Sequence, residues 1–211
     1  MLLGAYIDAS RQSLGLDIGA GTGVLSLMLA QRNPTIQITC IEIDEKSSEE
    51  CSSNIMESPW SNRIHLINND FIDFQFTHKF DLIFTNPPYY FTDNSSNESN
   101  ERTKHITTES LLSWLNKIAE LLTTKGDFWM IWPSETSQKI IEIAHDSGLH
   151  VAKKIAVYSK INKLSRNILC FSREKKEEFN DEQLIIRNHD NSYSDAYRSL
   201  TSDFHYTEFN P

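Results

Sequence analysis

The 211-residue sequence lacks the features of membrane and secreted proteins. It has no apolar run near the roughly 18 residues that a membrane span needs. Its first ten residues, MLLGAYIDAS, contain no positively charged region and no small-residue cleavage site, so we expect no secretory signal peptide. Cysteines are also scarce, with no CxxC pair among Cys40, Cys51 and Cys170. We therefore expect a reduced, cytoplasmic protein with buried thiols and no metal site.

An excess of basic charge is absent as well, because 20 lysines and arginines face 29 aspartates and glutamates. The net charge of −9 argues against a protein that coats nucleic acid non-specifically, since such binding depends on neutralising phosphates. Basic residues are nevertheless concentrated between positions 153 and 176, where eight of them accompany a single acid. Taken alone, this basic stretch is consistent with a solvated face or with a phosphate-binding surface.

Short apolar segments alternate with helix-period patterns, which is typical of an α/β domain with a mainly parallel sheet. With 39% hydrophobic residues, we expect a single domain over residues 1–211. Seven strands are predicted, at 13–18, 36–43, 63–67, 80–85, 126–132, 150–158 and 167–172. Helices are predicted at 22–31, 45–56 and 108–122. A short strand at 183–187 and an aromatic helix pattern at 193–204 lie in a C-terminal extension over residues 182–211, and the polar segment 92–103 is predicted to be a mobile loop.

A glycine-rich turn joins the first predicted strand to the first predicted helix, in the sequence Asp17-Ile18-Gly19-Ala20-Gly21-Thr22-Gly23. Glycines at such a turn let the backbone approach a ligand closely, and the helix N-terminus favours negative charge. The spacing is G-x-G-x-G rather than the G-x-G-x-x-G of nicotinamide-binding turns. The acid before the first glycine can hold a positive charge or a water near it. These features suit S-adenosylmethionine, which carries a sulfonium and an amino-acid end.

Two acids follow the next two predicted strands, where a nucleoside would lie. Glu42 ends the second strand, and a carboxylate there would accept hydrogen bonds from both ribose hydroxyls. Asp70 and Phe71 follow the third strand and would offer an acceptor for an adenine amine and an apolar surface for its ring. The whole pattern resembles the class I S-adenosylmethionine-dependent methyltransferases. The cofactor-binding residues that this resemblance implies are Asp17, Gly19, Gly21, Gly23, Glu42, Asp70 and Phe71.

The sequence Asn86-Pro87-Pro88-Tyr89 closes the fourth predicted strand, at the edge where open α/β sheets bind ligands. An amine conjugated to a ring is a poor nucleophile because its lone pair is delocalised. The Asn86 side-chain carbonyl and the Pro87 backbone carbonyl can each accept one N–H bond and draw the nitrogen toward tetrahedral geometry. Tyr89 offers a face for stacking the base, and orientation and electrostatics would carry the rate without a strong general base. The element resembles the NPPY motif of amino methyltransferases acting on adenine, guanine or glutamine amides, and its predicted catalytic residues are Asn86, Pro87, Pro88 and Tyr89.

Residues outside these motifs carry a narrower resemblance. They comprise MLLGAY at 1–6, ESPW at 57–60 with Arg63-Ile64, NPPYY at 86–90, and the ending from Ile186 to Phe204. In these segments the chain resembles the bacterial tRNA(Val) (adenine-37-N6)-methyltransferase family. The resemblance implies a monomeric, Rossmann-like enzyme with a seven-stranded, mainly parallel sheet and helices on both faces. It also implies that the enzyme uses S-adenosylmethionine to methylate a flipped adenine of tRNA.

The family resemblance further implies where tRNA binds, at Tyr90, Arg102, Lys104, His105, Lys163 and Arg166. Family members carry a segment of a few dozen residues before LLGAY, and Met1 stands inside that region. Without that segment, the alternative to an enzyme is an inactive tRNA-binding or cofactor-binding remnant. Two other acceptor amines remain open, the side-chain amide of a protein glutamine and N2 of an rRNA guanine.

Overall fold

The computed structural model describes residues 1–87, 107–175 and 180–205. Its helices are α1 (Leu2–Tyr6), α2 (Val24–Arg32), α3 (Glu45–Glu57), α4 (Thr108–Leu121), α5 (Ser137–Asp146) and α6 (Asp195–Thr201). Its strands are β1 (Leu14–Ile18), β2 (Gln37–Glu42), β3 (Ile64–Asn68), β4 (Phe80–Thr85), β5 (Leu122–Pro133), β6 (His150–Lys160), β7 (Lys163–Ser172) and β8 (Asn180–Ile185). Short 3₁₀ turns follow α3, β5 and α6, at Ser61–Arg63, Ser134–Thr136 and Ser202–Phe204. The segment predicted to be a mobile loop, 92–103, lies outside the described residues.

The strands form one eight-stranded sheet in the order β3-β2-β1-β4-β5-β7-β6-β8. Strands β1 to β5 pair in parallel, β7 runs antiparallel between β5 and β6, and β8 pairs in parallel with β6. The predicted α/β fold with a mainly parallel sheet is confirmed. The predicted sheet of seven strands is one strand too small, because the short strand predicted at 183–187 forms at Asn180–Ile185 and pairs with β6, which extends the sheet.

Helices cover both faces of the sheet, because successive strand residues point to opposite sides. In β4, Phe84 packs in a cluster with Leu29 of α2, whereas its neighbour Ile83 packs in a second cluster with Leu115 of α4 and Ile143 of α5. Helices α1, α2, α3 and α6 therefore lie on one face, and α4 and α5 lie on the other. Among the described residues, none of the helices is both long and apolar enough to cross a membrane.

Helix boundaries follow local capping. The Asp44 side chain accepts a hydrogen bond from the Ser47 N–H at 2.9 Å at the start of α3, and Thr107 accepts one from the Ser110 N–H at 3.1 Å at the start of α4. Each cap satisfies a backbone donor that the first helical turn leaves unpaired. The predicted starts of these two helices, at 45 and 108, are therefore confirmed.

The first helix is fastened to the last strand of the sheet. The Tyr6 hydroxyl of α1 donates a hydrogen bond to the Glu182 carboxylate of β8. The same carboxylate forms an ion pair with Lys153 of β6 at 2.8 Å, and the Lys153 ammonium lies 5.2 Å from the centre of the Tyr6 ring. Arg32 of α2 holds the other side of α1 by donating to the carbonyls of residues 4, 5 and 7.

Candidate active site

The carboxyl end of β1 places a buried acid beneath the glycine turn. Asp17 is 1% exposed, and its Oδ2 accepts a hydrogen bond from the Ser26 hydroxyl of α2 at 2.7 Å. Its other oxygen, Oδ1, is buried and has no hydrogen-bond partner among the described residues. Burial raises the pKa of Asp17 to about 7, although the hydrogen bonds from Ser26 act in the opposite direction. Because a buried unpaired acceptor is costly, Oδ1 is suited to a donor or a cation from outside the chain.

One side of the glycine turn borders open space. Gly19, Gly21 and Gly23 have φ angles of 66°, 56° and 80°, a region that side chains other than glycine rarely adopt. A Cβ atom at Gly19 or Gly21 would meet nothing within 4 Å, whereas one at Gly23 would lie 2.8 Å from Cys51 Sγ of α3. The first two glycines thus border open space, and the third allows α2 to pack closely on α3.

Helix α2 begins directly after this turn. Its N-cap is Gly23, which has no side chain to bond to the N–H groups of the first turn. The Ser26 N–H of this first turn already bonds to Asp17, and the other N–H groups and the helix dipole favour an anionic group at this point. The site thus combines a buried acid with a helix N-terminus, an arrangement suited to a ligand with charges of both signs.

The end of β2 connects to the same turn through Glu42. Its side chain is 8% exposed, Oε2 accepts a hydrogen bond from the Gly21 N–H at 2.8 Å, and Oε1 accepts one from the Asp44 N–H at 2.9 Å. Each carboxylate oxygen has a second acceptor position, so further donors can still bind. Glu42 therefore fixes the glycine turn relative to β2 while retaining acceptor capacity.

The segment after β3 brings a further acid to the site. Asp70 is partly buried, and its Oδ1 accepts a hydrogen bond from the Ile72 N–H at 2.7 Å. Phe71 is only 7% exposed, and its ring lies 6.0 Å from that of Phe76 and 6.1 Å from that of Trp114, between ring centres. Phe71 thus supports the wall of the site from within the core and offers little surface to a ligand.

Larger apolar surfaces beside the acids were missed by the sequence reasoning. Ile43 follows Glu42 and is 50% exposed, and Ile72 follows Phe71 and is 40% exposed. Both lie next to a predicted cofactor residue, and exposed isoleucines at such positions can cover the face of a planar ring. Their sequence signal was weak, because an isoleucine beside a strand end usually belongs to the core.

Lys117 of α4 holds the segment that carries Asp70, and nothing in the sequence signalled this role. Its Nζ donates to the carbonyl oxygens of Ile72 at 2.6 Å and Phe74 at 2.7 Å, and lies 5.3 Å from the centre of the Phe71 ring. Burial lowers the pKa of Lys117, and the carboxylates of Asp73 and Asp70 act in the opposite direction. The contact fixes residues 70–74 against α4, on the opposite face of the sheet from α2.

The predicted acceptor element begins one strand away from the glycine turn. Strand β4 pairs in parallel with β1, and the Thr85 hydroxyl at its end donates to the Ile18 carbonyl at 2.7 Å. Asn86 follows and is exposed, and Pro87 is half-buried. Neighbouring strands lie about 4.8 Å apart, so Asn86 and the turn share one edge of the sheet. Pro88, Tyr89, Tyr90, Arg102, Lys104 and His105, also predicted as site residues, lie outside the described residues.

The basic stretch does not form a single surface. Arg166 of β7 pairs in register with Pro133 at the carboxyl end of β5, so Arg166 and the preceding Lys163 lie at the site edge. Arg173 and Lys175 follow the other end of β7 and lie at the opposite edge. Both Lys163 and Arg166 are exposed, and neither forms an ion pair within the described ranges. Only part of the stretch is thus placed to bind a substrate.

The three cysteines are buried thiols outside any disulfide bond, as their number and spacing predicted. Cys40 Sγ donates to the Ser26 hydroxyl at 3.1 Å, which extends the polar chain that ends at Asp17. Over residues 1–87, 107–175 and 180–205, no three His, Cys, Asp or Glu side chains gather into a group that could hold a metal ion.

Known proteins share both the sequence and the fold of this chain. The methyltransferase small domain family matches residues 1–145. A tRNA1(Val) (adenine(37)-N6)-methyltransferase of Histophilus somni (strain 2336) is 36% identical over 211 residues, covering 97% of this chain and 87% of the relative. A relative of the same name from Escherichia coli O1:K1 is 35% identical over 210 residues, covering 97% and 85%. The chain belongs to the tRNA1(Val) (adenine(37)-N6)-methyltransferase family.

Membership of this family makes the protein a methyltransferase, as the resemblance had predicted. Solved structures share its fold: a "predicted O-methyltransferase" from Agrobacterium tumefaciens matches with a TM-score of 0.74 at 15% identity, covering 95% of this chain and 94% of that one. The N-methyltransferase NodS from Bradyrhizobium japonicum matches with a TM-score of 0.61 at 16% identity, covering 83% and 93%. At such identities the likeness shows the class I methyltransferase fold alone.

The residues of this methyltransferase fit the S-adenosylmethionine that its family and fold imply. The fit rests on the unpartnered Oδ1 of Asp17, the open space above Gly19 and Gly21, and the uncapped start of α2. S-adenosylmethionine carries a positive sulfonium and an amino-acid group with one positive and one negative charge. An acid suits the positive charges, and the N-terminus of a nearby helix suits the negative one.

Proposed function

We propose that the protein transfers a methyl group from S-adenosylmethionine to N6 of an adenine in tRNA, adenine 37 of valine tRNA. The relatives' shared name supports the acceptor, at 36% identity over nearly the whole chain. The observation that carries the proposal is the hydrogen bond from Thr85 to the Ile18 carbonyl, at 2.7 Å. It joins the strand that precedes Asn86 to the strand that precedes the glycine turn, so donor and acceptor groups would meet at adjacent strand ends.

On this proposal the glycine-turn side of the site holds the cofactor. S-adenosylmethionine supplies an electrophilic methyl group on a sulfonium. Asp17 would stabilise positive charge or a water near it through the free Oδ1, and Glu42 would accept ribose hydroxyl bonds at its remaining lone pairs. Asp70 would accept from the adenine amine, and Ile43 would cover the ring. The cofactor is thus oriented by groups that are already fixed in the chain.

Asn86 and Pro87 would orient the acceptor amine. Each offers a carbonyl oxygen, one from a side chain and one from the backbone, and two such acceptors match the two N–H bonds of an adenine amine. Accepting both bonds draws the nitrogen lone pair out of conjugation and directs it at the methyl group. The proton leaves after the methyl arrives, so positioning replaces a strong base. Pro88 would stiffen the element, and Tyr89 would stack on the flipped base.

The cations of the site edge would bind the RNA backbone. Lys163 and Arg166 are exposed and lie on the edge where β4 and β5 end. Tyr90, Arg102, Lys104 and His105 complete the tRNA-binding residues of the proposal. Since the substrate is tRNA and the thiols are free, a cytoplasmic location follows from the same proposal.

The test is labelled methyl transfer from S-adenosylmethionine to unmodified valine tRNA, followed by nucleoside mass spectrometry. We expect N6-methyladenosine in that tRNA, and none in a transcript whose adenine 37 is replaced by guanine. Label in N2-methylguanosine, or only in a glutamine-containing peptide offered as the alternative acceptor, would overturn the acceptor assignment. Calorimetric titration with S-adenosylhomocysteine serves as the control, because a chain that binds neither cofactor product nor tRNA would be no enzyme.

A further inference from the structure

The C-terminal extension contains an arginine held in one orientation by its own turn. Arg187 follows β8, and its guanidinium lies 4.1 Å from the centre of the Tyr193 ring, which stacks on Tyr197 at 4.9 Å. Arg187 Nη1 donates to the Asn191 carbonyl at 2.7 Å, and residues 187 and 193 form an isolated β-bridge. One face and one N–H of the guanidinium are therefore committed to the turn. Arg187 is partly exposed, so its remaining donors can reach a ligand.

Sheet register places this turn at the site edge beside the β6–β7 hairpin. Strand β8 runs parallel to β6, with Ile185 opposite Tyr158, and the Ile186 N–H continues the pairing by donating to the Tyr158 carbonyl at 2.8 Å. Lys160 is the last residue of β6 and pairs with Lys163 across the hairpin. Arg187 and Lys160 each follow the Ile185–Tyr158 pair by two residues, although the pairing of β6 with β7 shifts register between Tyr158 and Lys160, so both residues lie near the same edge of the sheet.

The register also gives the distance from the acceptor element. Thr85 of β4 lies opposite Met130 of β5, and the same row of register partners continues through Leu169, Lys154 and Asp181. Arg187 stands four strands away from Asn86 and five residues further along the strand direction, which corresponds to about 25 Å. At about 3.4 Å per stacked nucleotide, that distance spans about seven nucleotides of one RNA strand.

We propose that Arg187, together with Lys160, binds a phosphate of the RNA backbone about 25 Å from the acceptor base, as a contact separate from the methylation site. The proposal rests on the proposed function for its partner, an RNA. It assigns a role to the C-terminal extension, which adds the eighth strand to the sheet and carries Arg187 to this edge. Lys163 and Arg166 would then lie between the acceptor base and the distant phosphate.

Charge and geometry favour a phosphate over other ligands. Lys160, Lys163 and Arg187 form no ion pair within the described parts of the chain, although the protein has a net charge of −9. Asp190 lies in the same turn, but its Oδ1 accepts from the Ser192 N–H at 3.0 Å and the Ser192 hydroxyl at 2.6 Å. A guanidinium whose carbon lies 4.1 Å from a ring centre and whose Nη1 is hydrogen-bonded has restricted freedom, and its remaining donors suit the oxygens of a phosphate.

The experiment measures binding of unmodified valine tRNA by fluorescence anisotropy between 50 and 200 mM salt, for the wild type, Arg187→Gln, Arg187→Lys and Arg173→Gln. Arg173 is the matched control, because it follows β7 at the opposite edge of the sheet. We expect Arg187→Gln to weaken binding about tenfold and to reduce the slope of log K against log salt by about 0.7–0.9. Arg187→Lys should keep the slope, and Arg173→Gln should match the wild type.

Binding of a short RNA shows whether Arg187→Gln removes a phosphate contact or damages the C-terminal extension in general. A five-nucleotide RNA centred on the acceptor adenine extends only about 7 Å to each side, too short to reach Arg187. The wild type and Arg187→Gln should therefore bind it equally. An unchanged salt slope for tRNA, an equal loss in Arg173→Gln, or an equal loss of affinity for the short RNA would each overturn the proposal.

The salt slope of Lys160→Gln and methylation by the wild type are measured as well. Lys160→Gln alters the hairpin and not the tail, so its salt slope should fall by the same amount even where Arg187→Gln disturbs folding. An unchanged slope in Lys160→Gln, with Arg187→Gln misfolded, would overturn the proposal. Methylation by the wild type is scored separately. If adenine 37 is methylated but the slopes are unaffected, only this contact fails; if the slopes fall but no adenine is methylated, the proposed function fails instead.

Discussion

The two halves of the sheet differ in how far the polar groups of the site are buried and bonded to the chain. In the half built from β1, β2 and β3, the polar groups of the site are buried and already bonded to the chain, as Asp17 is to Ser26 and Glu42 is to Gly21. In the half built from β5 to β8, the corresponding polar groups are exposed cations such as Lys163 and Arg166, without ion pairs in the described part of the chain.

This difference follows from the sizes and charges of the proposed ligands. A small cofactor must be oriented atom by atom, which requires acceptors fixed by second hydrogen bonds and shielded from water. An RNA backbone offers many equivalent phosphates, and exposed cations can bind them without exact placement. Damage to the first half should therefore change cofactor affinity, and damage to the second should change RNA affinity and its salt dependence.

The largest effect is expected at the junction of the two halves. Asn86→Ala removes one acceptor for the amine and should lower kcat by about 10²–10³-fold. Because Asn86 is exposed and follows β4, affinity for S-adenosylhomocysteine should be almost unchanged. Single-turnover methyl transfer and calorimetry test this pair of outcomes, and full activity in the variant would refute the orienting role.

A strong effect on RNA alone is expected from charge reversal at the site edge. Lys163→Glu combined with Arg166→Glu should weaken tRNA binding about 100-fold and flatten its salt dependence, since two phosphate contacts become repulsive. Arg173→Glu combined with Lys175→Glu is the matched control, with the same charge change at the opposite edge. Equal losses in both double variants would show that net charge, and not the site edge, governs binding.

Substitutions at two glycines of the turn should have different effects on cofactor affinity and on the stability of the fold. Gly21→Ala places a methyl group in open space at φ 56°, so it should weaken cofactor binding about tenfold at a stability cost of about 1–2 kcal/mol. Gly23→Ala also brings its Cβ to 2.8 Å from Cys51 Sγ and should cost about 1–3 kcal/mol more. Thermal unfolding of both variants, with Cys51→Ala added to relieve the contact, tests the distinction. If Cys51→Ala restores no stability to Gly23→Ala, the steric reason is wrong.

Titration of Asp17 should give a pH dependence that has opposite signs for folding and for cofactor binding. The pKa of Asp17 is raised from 3.8 to about 7 by burial. The folded protein therefore holds a proton that the unfolded chain has lost between about pH 4 and 7, and stability falls with rising pH in that window, by at most about 1.4 kcal/mol per pH unit. A cationic cofactor favours the ionised form, so its affinity should instead rise with pH up to about 7.

Asp17→Asn is the control for both slopes, because an amide does not titrate in this range. Thermal unfolding and calorimetric titration with S-adenosylmethionine at pH 5.5, 6.5 and 7.5 should show both slopes in the wild type and smaller slopes in the variant, where only the other titratable groups contribute. A cofactor affinity that is flat with pH in the wild type would remove the charge role from Asp17.

Local patterns predicted most of the fold, although helix α5 (Ser137–Asp146) was not predicted, and long-range pairing accounts for part of what they missed. The capped helices and the apolar strands have signals within a few residues, as at Asp44 and Thr107. Helix α1 has five residues and is too short to show a period. Strand β5 begins at Leu122, inside the predicted helix, because Leu122 pairs with Phe80 of β4. The short strand predicted at 183–187 overlaps β8, but its pairing with β6, which makes it the eighth strand of the sheet, depends on hydrogen bonds to a distant segment and has no local signal.

The candidate site shows the same division. Residues at the ends of parallel strands could be assigned to one edge from the sequence, since the strand order of such sheets brings them together. Thr85 and Lys117 act through bonds to Ile18 and to residues 72 and 74, and these distant partners leave no local signal. The basic stretch looked continuous, but the course of β7 carries its members to opposite edges of the sheet.

The bond between Tyr6 and Glu182 has a consequence for biosynthesis. Its partners are separated by 176 positions in the chain. At about 5–20 residues per second, a ribosome needs about 10–35 s after adding Tyr6 before Glu182 is joined. During that interval α1 can pack against α2 but lacks its bond to β8. The attachment of α1 to the sheet is therefore completed only late in synthesis.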